Sequence, residues 1–125
     1  KYGKKYIDQN FPGRHTLIQG NSNLTVPKFT TKHPNKTFDL IFIDGGHTYQ
    51  CAKSDILNMQ ALAHKDTIVV IDDVSYQSVM QAWEEAIQSG IVKETERIQF
   101  PYKFIAIGKY CMKNTDEFAI KQNAK

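Results

Sequence analysis

Two short apolar runs stand out along the 125-residue chain, and each is followed at once by acidic residues. The run over 38–43 ends at Asp44, and the run over 67–71 ends at Asp72 and Asp73. Near-continuous apolar runs of this length are typical of parallel strands that are covered on both faces. The pattern therefore predicts two buried strands whose carboxyl ends carry carboxylates.

Amphipathic stretches follow each of these runs. Apolar residues at helical spacing predict one helix over 49–63 and another from Ser75 that stops at Gly90. Two further β-rich stretches, 92–98 and 103–110, enclose a Pro-Tyr pair and predict a hairpin. The alternation of strands and helices indicates an α/β fold with right-handed crossovers, a mostly parallel sheet and a C-terminal antiparallel hairpin.

The pattern of apolar and polar residues is weaker in the N-terminal third of the chain. A helix is predicted up to the break at 11–13, then a short strand over 16–20, and then a helical stretch over 24–32 that contains Pro27. The chain opens at Lys1 without a capping residue, which indicates a helix whose beginning is missing and hence a fragment or a processed chain. We assign residues 1–112 to one partial domain and 113–125 to a polar C-terminal tail.

Composition narrows the classes of partner. The net charge is only +3 and the lysines are scattered among acids, which is typical of a solvated surface and does not favour nucleic-acid binding. The apolar runs are too short to cross a bilayer, so no membrane partner is expected. Cys51 and Cys111 are too few and too far apart for a disulfide framework or a zinc site, which favours a reduced, cytoplasmic setting.

The acidic residues after the strands are the first candidate site. Asp44 and Asp72 lie 28 positions apart, the length of one strand-helix-strand unit, so both carboxylates are expected at the same edge of the sheet. Carboxylates that lie close together repel one another, so one of them must bind a proton or a cation. Mg²⁺ prefers such oxygen ligands. The alternative is that Asp73 or Ser75 only caps the following helix.

Gly45, Gly46 and His47 follow Asp44 directly. The glycines permit a sharp turn and a close approach of the backbone to a ligand, although any tight turn uses glycine in the same way. His47 is a candidate general base for a substrate hydroxyl, and it is equally open to metal binding, to packing against a cofactor, or to a plain helix-start position.

A second polar turn follows the predicted strand at 16–20. Gly20, Asn21 and Ser22 offer amide and hydroxyl groups suited to hydrogen bonding with a purine edge. An ordinary polar turn is the simpler interpretation of these three residues.

The segment 38–49, F-D-L-I-F-I-D-G-G-H-T-Y, resembles the class I S-adenosylmethionine-dependent methyltransferases, in particular their small O-methyltransferase branch. The resemblance runs from about Phe11 to Tyr110 and includes the strand over 68–71 with its two acids. It implies an incomplete Rossmann-like methyltransferase domain, because the family's glycine-rich first strand has no counterpart in this sequence.

The resemblance also implies roles for individual residues. The cofactor-binding residues would be Gly20, Asn21, Ser22, Asp44, Gly45 and Gly46. The ligands of Mg²⁺ or another divalent metal would be Asp44, Asp72 and Asp73, and His47 would be the catalytic base. Gly46 departs from the family pattern, since many members carry a second Asp there, and this departure moves weight to His47.

The implied activity is methyl transfer from S-adenosylmethionine to the hydroxyl of a small molecule, by the intact parent protein rather than by this chain alone. A non-catalytic methyltransferase-like module for binding or assembly is one alternative, and a carboxylate-metal hydrolase is another. An unpaired sheet edge would also favour a homo-oligomer.

Overall fold

The structure is a computed structural model, and it describes residues 2–112; the predicted tail at 113–125 lies outside them. The helices are α1 (Tyr2–Asn10), α2 (Ser22–Lys32), α3 (Tyr49–Met59) and α4 (Gln77–Gln88), and the strands are β1 (Phe38–Ile43), β2 (Ala63–Ile71), β3 (Val92–Gln99) and β4 (Phe104–Tyr110). A single 3-10 turn, Gln60–Leu62, joins α3 to β2. Among these helices, none is long and apolar enough to cross a membrane.

The four strands form one sheet in the order β1-β2-β4-β3. β1 and β2 are parallel, whereas β4 is antiparallel to both of its neighbours and lies between β2 and β3. The connection from β1 to β2 runs through α3, as a parallel pair requires. The predicted fold class is therefore confirmed: the fold is α/β, and its sheet ends in an antiparallel hairpin.

The core lies on the face of the sheet that is covered by α3 and α4. Trp83 of α4 and Ile56 of α3 are almost completely buried there, against Val69 and Ile71 of β2. Each helix contributes one apolar stripe, as its 3.6-residue periodicity predicts. The two helices also pack against each other, and together they fix the carboxyl ends of β1 and β2 relative to the loops that follow.

The expectation that both strands are covered on both faces is wrong. Ile41 and Ile43 are buried, whereas Leu40 and Phe42, which alternate with them in β1, are 61% and 55% exposed. Ile68 of β2 is also 43% exposed. Successive side chains of a strand point to opposite faces, so the second face of β1 is largely open within residues 2–112.

The predicted strand over 16–20 is also wrong. Residues 15–19 form neither helix nor strand, and Leu17 and Ile18 are about half exposed. A strand depends on hydrogen bonds to a neighbour, and β1 is paired only with β2 in the described sheet. The predicted helix after this segment does form, beginning two residues earlier than expected, at Ser22.

Candidate active site

The register between β1 and β2 sets the geometry of the acidic residues. Ile43 is paired with Ile71, and the Asp72 N–H donates to the Ile43 carbonyl oxygen at 2.9 Å. Asp44 and Asp72 therefore leave the sheet side by side. One carboxylate oxygen from each of Asp44, Asp72 and Asp73 lies within 4.8 Å of the other two. This is the juxtaposition that the 28-residue spacing predicts.

Asp73 adopts a left-handed backbone conformation, with φ at 57°. Asp tolerates this region better than most residues, and its N–H is bound by the Asp72 Oδ1 atom at 2.7 Å. α4 begins only after Tyr76, whose side chain makes no capping hydrogen bond. Neither Asp73 nor Ser75 is therefore the cap of α4, and the side chain of Asp73 is left for other contacts.

His47 makes one of those contacts. Its Nε2 atom lies 2.9 Å from Asp73 Oδ2, and its ring stacks on Tyr76 with the centroids 4.3 Å apart. The Ser78 hydroxyl donates to the His47 carbonyl oxygen, which ties the backbone to α4. Because a carboxylate only accepts, Nε2 of a neutral imidazole must carry the proton, and the lone pair then lies on Nδ1. The pair Asp73–His47 thus orients a basic nitrogen in a side chain that is 45% exposed.

Lys103 enters the same cluster from the β3–β4 hairpin. Its Nζ atom lies 2.6 Å from Asp72 Oδ2, and Asp72 itself is only 8% exposed. The hairpin is held beside β2 by the antiparallel pairing of β4 with β2, and the Val74 N–H donates to the Phe104 carbonyl oxygen just beyond that pairing. The hydrogen bond to Asp72 raises the pKa of Lys103, and the charges of Asp73 and Asp44 raise it further. No sequence pattern indicated this residue, which lies 31 positions from its partner.

These contacts bear on the predicted divalent metal. Both oxygens of Asp72 are engaged, one by the Asp73 N–H and one by Lys103, and Asp73 Oδ2 is engaged by His47. A divalent ion bound by these carboxylates would meet the Lys103 ammonium at Asp72, and the two positive charges would repel each other. The donor set in this arrangement therefore does not fit a metal.

Asp55 is a carboxylate that sequence reasoning missed. It lies on α3, is 4% exposed, and borders the depression that Asp44, Gly45, Gly46, His47, Asp72 and Asp73 line. Its Oδ1 atom is buried and has no hydrogen-bond partner among the described residues. One signal was present in the sequence: Asp55 lies next to Ile56 and three residues after Ala52, so an acid falls on the apolar stripe of a helix.

Gly45 lies directly over Asp55. A Cβ atom on Gly45 would come within 2.5 Å of Asp55 Oδ2, so the buried Asp55 side chain would have to shift. We expect Gly45→Ala to lower the free energy of unfolding by about 1–3 kcal/mol, the usual cost of overpacking. Urea unfolding followed by circular dichroism measures the change.

Gly46→Ala is the matched control, because its Cβ would meet only the Cys51 side chain at 3.3 Å. The double variant Gly45→Ala/Asp55→Ala relieves the clash, so Gly45→Ala should cost less in the Asp55→Ala background than in the wild type. Equal stability of the wild type and Gly45→Ala would contradict the close approach.

The second predicted cluster has a structural role and stands apart from the depression. Asn21 is the N-cap of α2, and its Oδ1 atom accepts from the Asn23 N–H at 3.0 Å. Gly20 has φ at 138°, a conformation that favours glycine. Gly20, Asn21 and Ser22 are not among the residues that line the depression. Their predicted role in cofactor binding stays a prediction.

Comparison with known proteins gives matches of two kinds. A family model described as a methyltransferase domain matches residues 2–74. Comparison with curated proteins gives no match. Two solved structures of CalS11, a TDP-rhamnose 3'-O-methyltransferase of calicheamicin biosynthesis, are similar at 17% identity and a TM-score of 0.66.

The similarity to CalS11 covers 84% of this chain but only 49% and 45% of the two CalS11 chains. A fibrillarin pre-rRNA processing protein from Methanococcus jannaschii is similar at 14% identity and a TM-score of 0.56, over 89% of this chain and 52% of that one. The chain thus spans about half the length of the structures it matches, and at these identities the likeness shows the fold alone.

Proposed function

This chain belongs to the methyltransferase domain family, and on that premise we propose that the intact protein transfers a methyl group from S-adenosylmethionine to a hydroxyl oxygen of a small molecule. The family supports S-adenosylmethionine as the methyl donor. The observation that supports a hydroxyl acceptor is the Asp73–His47 hydrogen bond. It engages Nε2 of His47 and leaves Nδ1 to accept a proton at the carboxyl edge of the sheet. Ligands of open α/β sheets bind at that edge.

The residues at the end of β1 fit a cofactor. Asp44, Gly45 and Gly46 are all exposed, and the two glycines lack side chains that would keep a ligand away from the backbone. S-adenosylmethionine supplies an electrophilic methyl group on a positively charged sulfur. In the proposal, Asp44 hydrogen bonds to the donor, and the backbone at 45–46 lies against it.

His47 performs the proton chemistry. Nδ1 of His47 would accept the proton of the acceptor hydroxyl, and bound S-adenosylmethionine would supply the methyl group and leave as S-adenosylhomocysteine. Asp73 keeps Nε2 as the donating nitrogen and stabilises the imidazolium that forms, which is the function of the aspartate in a catalytic triad. Tyr76 restricts the rotation of the ring through the stacking contact.

The acceptor class is proposed from two sources. The exposed side of His47 and the polar edge around it suit a hydrated, hydroxyl-bearing molecule rather than an apolar one. CalS11, whose structure this chain resembles, is a TDP-rhamnose 3'-O-methyltransferase. TDP-rhamnose is therefore the first acceptor to test.

Calorimetric titration of S-adenosylhomocysteine tests the cofactor part of the proposal, both in this chain and in the intact protein. We expect micromolar affinity in the intact protein and about tenfold weaker binding after Asp44→Asn, the usual effect of losing one charged hydrogen bond. Asp39→Asn is the matched control, because it makes the same change near the opposite end of β1. A non-catalytic module predicts no binding even in the intact protein, and that result would overturn the proposal.

A further inference from the structure

The acidic cluster at the end of β1 and β2 already contains a positive charge. Lys103 Nζ lies 2.6 Å from Asp72 Oδ2, and the Asp72 side chain is 8% exposed while that of Lys103 is 45% exposed. One carboxylate oxygen from each of Asp44 and Asp73 lies within 4.8 Å of one oxygen of Asp72. Three carboxylates at this separation repel one another unless a cation lies among them.

We propose that Lys103 is the built-in cation of the site and takes the place that a divalent metal would otherwise occupy between Asp44, Asp72 and Asp73. The hairpin makes this possible, because the Phe100 N–H donates to the Lys103 carbonyl oxygen at 2.8 Å and fixes the backbone there. The lysine thus lies on the β3–β4 hairpin, whereas the three acids follow β1 and β2.

Metal binding tests the neutralisation without any methyl donor. Mn²⁺ is titrated into the protein and the free ion is measured by electron paramagnetic resonance, for the wild type, Lys103→Met and Lys103→Arg. We expect Lys103→Met to bind Mn²⁺ at least about tenfold more tightly than the wild type, because a like charge has left the cluster. Lys103→Arg keeps the charge and should resemble the wild type.

Lys65→Met is the matched control, since it removes one exposed lysine from the opposite end of β2. It should leave Mn²⁺ binding unchanged, and adding Asp72→Asn to Lys103→Met should abolish the gain. Equal Mn²⁺ affinity of the wild type and Lys103→Met, whether tight or undetectable, would overturn the inference. Because the readout is metal binding, it stays separate from the failure or success of S-adenosylhomocysteine binding.

Should Lys103→Met fail to fold, Lys103→Gln removes the same charge and keeps a polar side chain. Mn²⁺ affinity should then rise by the same factor, and an unchanged affinity would again overturn the inference.

Discussion

His47→Gln is expected to lower kcat for methyl transfer by about 10²- to 10⁴-fold, the usual contribution of a positioned general base. Glutamine keeps an N–H that can donate to Asp73, so the hydrogen bond at the site is retained while the basic nitrogen is lost. The rate is measured as formation of S-adenosylhomocysteine by the intact protein, with TDP-rhamnose as the first acceptor tested. Affinity for S-adenosylhomocysteine should change little.

Tyr76→Phe is the control for this experiment. It keeps the ring that stacks on His47 and removes only a hydroxyl, so its kcat should stay within about threefold of the wild type. A His47→Gln variant with wild-type kcat would show that the acceptor loses its proton to another group or directly to water. The same result would leave the Asp73–His47 pair with a purely structural role.

Trp83→Ala is expected to lower the free energy of unfolding by about 3–5 kcal/mol, a large part of the stability of a domain of this size. Trp83 is completely buried in the core, and its Nε1 atom donates to Glu94 Oε2 at 2.7 Å. Removing the indole leaves a cavity between α4 and the sheet and also takes a donor from Glu94. Urea unfolding followed by far-ultraviolet circular dichroism measures the loss without depending on tryptophan fluorescence.

Trp83→Phe separates the contribution of packing from that of the hydrogen bond to Glu94. Phenylalanine fills most of the cavity but cannot donate, and Glu94 keeps its ion pair with Arg97 at 2.8 Å. Trp83→Phe should therefore lower the free energy of unfolding by much less than Trp83→Ala does. A loss below about 1 kcal/mol for Trp83→Ala would contradict the tight packing of this core, since a buried aromatic side chain is among the most costly to truncate.

The parts of the fold that sequence could predict are those governed by local pattern. The apolar run 38–43 has the pattern of a strand, and the stripe that contains Trp83 has the spacing of a helix. The spacing of Asp44 and Asp72 was informative for a related reason: a strand-helix-strand unit has a characteristic length. The side-by-side position of the two acids follows from these local rules.

The parts that sequence could not predict depend on partners distant along the chain. Residues 16–20 have the composition of a strand but remain outside the sheet, because strand formation is decided by a neighbour. β2 begins at Ala63, four residues before its apolar run, because Phe38 of β1 pairs with Ala63 across a register shift. Lys103 reaches Asp72 only through the order of the strands, which no local pattern contains.

The position of β4 between β2 and β3 has a consequence for synthesis on the ribosome. One edge of β2 stays unpaired until β4 has been made, since β4 supplies its hydrogen-bonding partner on that side. Translation at about 5–20 residues per second takes roughly 2–8 s to add the residues from Asp72 to the end of β4 at Tyr110. During those seconds that edge of β2 has no hydrogen-bonding partner, and Asp72 has no lysine beside it until Lys103 has been made.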